Sequence, residues 1–135
     1  MRAFIDTNVL VYAFLDVEKR ERALAALADG GVVGVQVLNE FTNVAHKKRG
    51  RPWGEVEDAL RVIRARFPEV APLTVETHDN AIALKREHGL AFFDALIVAA
   101  ALEAGCDTLL TEDMQNGRRF GACRVVNPFA RGAGA

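Results

Sequence analysis

The sequence predicts an α/β protein built on a parallel sheet with helices on both faces. Three observations lead there. Short apolar runs alternate with longer stretches of helical periodicity, the pattern of strands joined by helical crossovers. The chain has 135 residues and half are hydrophobic, enough for one domain with its own core. Acids follow directly on two of the apolar runs, and open α/β sheets bind ligands beyond the carboxyl ends of their strands. Residues 1–130 are expected to form that single domain, with 131–135 a disordered tail of Arg, Gly and Ala.

The first run, Ala3-Phe4-Ile5, reads as a buried strand ended by Asp6. Thr7 or Asn8 then suits the cap of a helix through Val9, Leu10, Tyr12, Ala13 and Phe14. Asp16 is a candidate cap for a second helix over 17–28, with Leu24, Leu27 and Ala28 opposite a solvated charged face. Asp29-Gly30-Gly31 ends it, and Val32–Val35 reads as the second strand.

Gln36 to Lys48 carries an apolar stripe of Val37, Leu38, Phe41, Val44 and Ala45, with Glu40 at its margin. A carboxylate beside a buried face needs a partner or a metal unless it reaches into water. Lys47, Lys48, Arg49 and Arg51 close this helix. Basic residues suit a helix C-terminus, and the same cluster is a candidate phosphate-binding patch. Pro52 starts the next helix, which Pro68 stops. The strand expected over 70–75 contains Pro72, which places it at a sheet edge. Thr74 or Thr77 caps the helix that follows, and Gly89 closes it after His88.

Phe92 to Gly105 is the most hydrophobic helical stretch and is expected at the centre of the fold. Asp94 shares a face with Ile97, Val98 and Ala101; it is either the N-cap of a helix starting at Ala95 or a carboxylate in need of a cation. Thr108-Leu109-Leu110 is a buried strand followed at once by Thr111, Glu112 and Asp113, and Cys123–Val126 is the last strand.

Composition excludes several classes. Net charge is −1, so no global basic field advertises nucleic acid, although setting four carboxylates aside turns the balance positive. The two cysteines, Cys106 and Cys123, lie far apart, and the three histidines share no ligand spacing, so neither a zinc site nor a Ser-His-Asp triad has support. The chain shows no secretion signal and no bilayer-spanning run, so a cytoplasmic protein without membrane contact is expected.

Asp6, Glu40, Asp94 and Asp113 are thereby placed to converge at one sheet edge. Like charges about 4 Å apart repel by about 4 kcal/mol at an effective dielectric near 20. A divalent cation relieves that repulsion, and oxygen ligands without His or Cys favour Mg²⁺ or Mn²⁺. Such ions serve phosphodiester hydrolysis.

Asp6-Thr7-Asn8, Asn39-Glu40-Phe41, Phe93-Asp94-Ala95-Leu96-Ile97 and Thr111-Glu112-Asp113-Met114 together resemble the PIN-domain nucleases. The later stretches, 94–101 and 109–117, are especially similar to VapC-type toxins of type II toxin–antitoxin pairs. The resemblance implies a three-layer α/β/α sandwich of sheet order 3-2-1-4-5. It implies endoribonuclease activity dependent on Mg²⁺ or Mn²⁺, a homodimer, and inhibition by a cognate antitoxin. It assigns Asp6, Glu40, Asp94 and Asp113 to the acidic quartet, with Asn8 and Thr111 in support. Two positions depart from the pattern: Asn116 stands where relatives often carry Asp, and Ala91 where they often carry Ser. An antitoxin is expected to set an Arg or Lys against the acids and to lie along apolar surface near the early helices; Val11, Tyr12, Phe14, Leu15, Leu24 and Leu27 are candidate contacts, although core filling accounts better for any one of them.

Three alternatives stand beside the toxin reading: a stand-alone RNA-processing nuclease of the same fold, a phosphatase with Asp6 as nucleophile, and a non-catalytic binding module. The phosphatase requires an acid two residues after Asp6, where the chain has Asn8, and a late Lys, where it has Arg118 and Arg119.

Overall fold

The computed structural model describes residues 1–131. The chain runs β1 (Ala3–Ile5), α1 (Thr7–Phe14), α2 (Arg20–Ala26), β2 (Val33–Gly34) and α3 (Val35–Asn43), which passes into a π-helical turn, Val44–Lys48. Then come α4 (Trp53–Arg66), β3 (Val70–Ala71), α5 (Val75–His88), α6 (Phe92–Glu103), β4 (Thr108–Leu110), β5 (Arg119–Phe120) and β6 (Cys123–Val126).

β1 pairs in parallel with β4, β4 with β6, and β2 with β3. A parallel bridge between Phe4 and Val32 joins the two ladders, through Ile5 N–H to the Val32 carbonyl at 2.9 Å and Val32 N–H to the Ala3 carbonyl at 2.8 Å. The parallel strands therefore lie in the order β3-β2-β1-β4-β6, which is the expected 3-2-1-4-5 with β6 as its fifth strand. β5 adds an antiparallel edge outside β6, turned by Gly121 at φ +59°. Two residues, Arg119 and Phe120, carry no periodicity, so the sequence gives no sign of this hairpin.

Packing explains the sheet. All three residues of β1 and of β4 are buried, as strands covered on both faces must be. Gly34 approaches Phe4 so closely that a Cβ there would lie 2.9 Å from the ring. Residues Ala95 to Ala101 of α6 are all buried, which confirms the central helix expected from its hydrophobicity. Phe4, Phe41, Phe67 and Phe120 are the largest fully buried side chains, and a single core cluster links the sheet to α1, α3, α4, α5 and α6.

Several boundaries differ from expectation. Asp6, not Thr7 or Asn8, is the N-cap of α1. α2 begins only at Arg20, because the Asp16 carboxylate accepts the Glu18 N–H at 3.3 Å and holds 17–19 in a turn. α6 begins at Phe92, so Asp94 lies in its first turn rather than at its cap. β3 is short and at the edge, with Pro72 just beyond it. Thr74 caps α5 in a capping box with Thr77, and Gly89 closes that helix at φ +69°. Cys106 and Cys123 are buried free thiols. Among the described residues no helix is long and apolar enough to cross a membrane. The expected tail lies, from residue 132 on, outside the described residues.

Candidate active site

Asp6 leaves the carboxyl end of β1, where its backbone N–H still bonds the Leu110 carbonyl at 3.0 Å. It is 3% exposed. Both carboxylate oxygens are held: Oδ1 accepts the Thr7 N–H at 2.7 Å, and Oδ2 accepts the Thr111 hydroxyl at 2.8 Å. β1 and β4 are neighbours with Ile5 beside Leu110, so the residues that follow each strand, Asp6 and Thr111, meet at the same edge.

Glu40 is half-buried on α3. Its Oε2 accepts the Thr7 hydroxyl at 2.6 Å, and Gln36 Nε2 lies 3.4 Å from Oε1. Asp113 is exposed; Asn8 Nδ2 donates to its Oδ2 at 3.1 Å. Asn8 also receives the Glu112 N–H on Oδ1 at 3.2 Å and gives a bond to Thr111 Oγ1 at 3.2 Å. One amide on α1 thus fixes the whole 111–113 segment. Asp94, half-buried in the first turn of α6, has no hydrogen-bond or ion-pair partner among the described residues.

The four acids share one electrostatic field. Burial pushes the Asp6 carboxyl up to about 7; the bonds from Thr111 and Thr7 oppose this, and the charges of Glu40 and Asp113 add to it. Asp94 is likewise raised, first by burial and then by Asp113 and Glu40. No Lys or Arg pairs with any of the four among the described residues. Glu112 is different. Its carboxylate accepts the Tyr12 hydroxyl and pairs with Lys19 at 3.2 Å, while the Lys19 ammonium also lies 4.5 Å from the Tyr12 ring centre. It is already neutralised and turned to α1.

A cleft of about 380 Å³ opens beside these residues, lined by Thr7, Asn8, Tyr12, Glu40 and Asp113 together with Lys48 and Arg49. Of the four expected phosphate contacts, Lys47, Lys48 and Arg49 are exposed and two of them face this cleft. Arg49 meets Asp16 at 3.3 Å. Arg51 is spent on structure: it donates to the Leu15 carbonyl at 3.2 Å and pairs with Glu55 at 3.4 Å. Val11, Leu15 and Leu27 are core residues and are not surface for a partner; Leu24 is 45% exposed.

The donor set suits a hard divalent cation, being all oxygen, anionic and short of positive partners. Among the described residues no three acids or histidines stand ready around one point, so binding an ion requires side-chain rotation. Asp94 and Asp113 have that freedom, the first without any bond to break and the second exposed. Thr7, Tyr12 and Lys19 contribute bonds that spacing did not reveal. The one available signal was helical: Asn8 and Tyr12 are four residues apart and face the same segment.

The profile of the PIN domain matches residues 3–118. No curated protein matches the chain. Among solved structures the chain is similar to a toxin–antitoxin complex from Klebsiella pneumoniae, at TM-score 0.73 and 22% identity over 94% of this chain and 98% of that one. It is similar to VapBC2 from Rickettsia felis, solved bound to a DNA fragment from its promoter, at TM-score 0.68 and 19% identity over 93% and 97%. It also resembles Mycobacterium tuberculosis VapC20, a sarcin-ricin loop cleaving toxin, at TM-score 0.65 and 16% identity over 79% and 86%.

Proposed function

The chain belongs to the PIN domain family, and from that premise we propose that it is an endoribonuclease dependent on Mg²⁺ or Mn²⁺, the toxin of a type II toxin–antitoxin pair. The observation that carries the chemistry is the acidic cluster. Four carboxylates come from four separate segments, and two of them, Asp6 and Asp94, are raised by burial and by shared neighbours, with no paired Lys or Arg among the described residues to relieve them. The solved structures of similar fold include toxin–antitoxin complexes and an RNA-cleaving toxin, which supports both the substrate class and an antitoxin partner.

Asp6 and Asp94 would hold the ion, with Glu40 and Asp113 completing the site. When bound, the ion supplies the charge that activates water and steadies the leaving oxygen of a phosphodiester. Thr111 and Thr7 keep the Asp6 carboxylate aimed, and Thr7 does the same for Glu40. Asn8 holds Asp113 at the cleft. Lys48 and Arg49 on the cleft wall, with Lys47 beside them, attract the phosphates of the RNA. The protein acts as a homodimer in the cytoplasm and is silenced by an antitoxin segment that sets a cation against the acids.

Induced expression, followed by mapping of cleaved RNA ends, tests this reading. New ends are expected with the wild type and not with Asp94→Asn, and a co-expressed antitoxin should suppress them. Identical RNA ends in both strains would overturn it.

A further inference from the structure

Trp53 is the only tryptophan of the chain and is 53% exposed at the first position of α4. It takes no part in the hydrophobic core. One face is nevertheless occupied: the His46 ring stacks on it with centres 3.7 Å apart and planes 17° from parallel. His46 is itself fixed, since Nδ1 donates to the Arg51 carbonyl at 3.0 Å. The indole is thus oriented before any ligand arrives, with area left open to solvent.

The stack belongs to the same turn of chain as the cleft wall. The π-helical turn, closed by Arg49 N–H to the Val44 carbonyl at 2.9 Å, carries His46 against Trp53 while Val44, Lys48 and Arg49 line the acidic cleft. Such turns recur at functional sites. Lys47 and Lys48 are exposed and make no ion pair among the described residues. Its sequence neighbours Gly54 and Glu55 are exposed and not hydrophobic. An open aromatic face beside free cations is how proteins hold unpaired nucleotides.

We infer that Trp53, stacked on His46 and flanked by the cationic turn 44–48, is a stacking platform for an unpaired base of the RNA whose backbone enters the acidic cleft. This rests on the ribonuclease reading and names a subsite of it. The ligand class is single-stranded RNA or a loop, since a base within a duplex has no free face to offer.

The single tryptophan reports on its own ligand. A fluorescently labelled, 2′-O-methylated oligoadenylate of about eight nucleotides, within the usual span of single-strand sites, is titrated into the full-length protein in EDTA. Anisotropy gives the affinity, and indole emission is followed with the unlabelled oligomer. Binding should quench Trp53. Trp53→Ala should weaken binding about tenfold, the effect of losing one base stack, and Trp53→Phe should recover most of it. On cleavable RNA, Trp53→Ala should raise KM far more than it lowers kcat. The wild-type quench needs no variant to fold.

Oligomer binding without any quench, and with equal affinity in Trp53→Ala, would overturn the platform while leaving the ribonuclease reading intact. A Trp53→Ala protein that loses its dimer but keeps its RNA affinity would overturn it too, in favour of a protein interface. If the wild type neither binds nor cleaves any RNA, the ribonuclease reading fails and the platform falls with it.

Discussion

Thr111 gives its one hydroxyl proton to Asp6: Oγ1 lies 2.8 Å from Asp6 Oδ2, and it accepts from Asn8 Nδ2 at 3.2 Å and from the Asp113 N–H at 3.1 Å. Those two donors leave the proton only one direction. The hydroxyl is the joint at which β1, α1 and the segment after β4 are tied, and it favours the charged form of a buried carboxyl.

Thr111→Val keeps the shape and removes the joint. It leaves the Asp6 carboxylate and two donors short of a partner, so a loss of about 1–3 kcal/mol in denaturant unfolding is expected. RNA cleavage should fall about 10–100-fold, as when a group that orients a metal ligand is lost. Thr111→Ser should restore both. A Val variant with unchanged stability and rate would contradict the arrangement.

Without metal, the contribution of Asp6 to stability should fall as pH rises. The Asp6 carboxyl titrates near 7 in the folded chain against 3.8 as the ordinary value. Between those limits this group binds more protons in the folded state than in the unfolded state, so its contribution to stability is fully present below about pH 4 and is lost as pH rises to about 7. The whole effect is about 4 kcal/mol for this group. Asp6→Asn has no such proton to lose. In EDTA its Tm, relative to wild type, should climb between pH 5 and pH 8, and added Mn²⁺ should stabilise the wild type at pH 8. A constant Tm difference across that range would refute the effect.

Glu112 and Asp113 are adjacent acids with opposite fates. Asp113→Asn should bring cleavage to background. Glu112→Gln should keep most activity, because that carboxylate is already committed to Tyr12 and Lys19. Steady-state rates of the two variants decide it, and equal losses would mean that Glu112 serves the site directly.

The four basic residues after α3 should separate likewise. Lys48→Ala and Arg49→Ala should each lower RNA affinity and reduce the salt slope by roughly 0.7 on single strands. Arg51→Ala should leave the slope alone and lower Tm, since its guanidinium is bonded to Leu15 and Glu55. Salt titrations of binding, set against melting curves, make the distinction.

What could be read from the sequence was whatever local chemistry dictates. The strand before Asp6 is a continuous apolar run and the one before Thr111 ends in Leu109 and Leu110, and Thr74, Gly89 and Pro72 mark ends by mechanisms that act within a few residues. The placement of Asp6 and of the Glu112/Asp113 pair at one carboxyl edge followed from strand alternation; the support from Thr111 followed only from the family resemblance. The hidden features depend on long-range contacts. Asp6 caps α1 in place of Thr7 while bonding a residue 105 positions away. The π-helical turn that separates Lys48 from His46 leaves no mark in an apolar stripe that runs smoothly through Val44 and Ala45. Val11, Leu15 and Leu27 fill the core, the account favoured for each of them, and periodicity alone could not separate them from the exposed Leu24 because it gives a face but not what covers it.

Four carboxylates that no Lys or Arg pairs with among the described residues should make a metal-dependent ribonuclease. This is tested most directly by titrating Mn²⁺ into EDTA-stripped wild type and Asp94→Asn, purified side by side, while cleavage of end-labelled RNA is followed. The wild type should be inactive in EDTA and gain activity saturably with Mn²⁺, and Asp94→Asn should stay at background throughout. Cleavage by the wild type in excess EDTA, or equal cleavage by both proteins, would overturn a metal-dependent site built on Asp94.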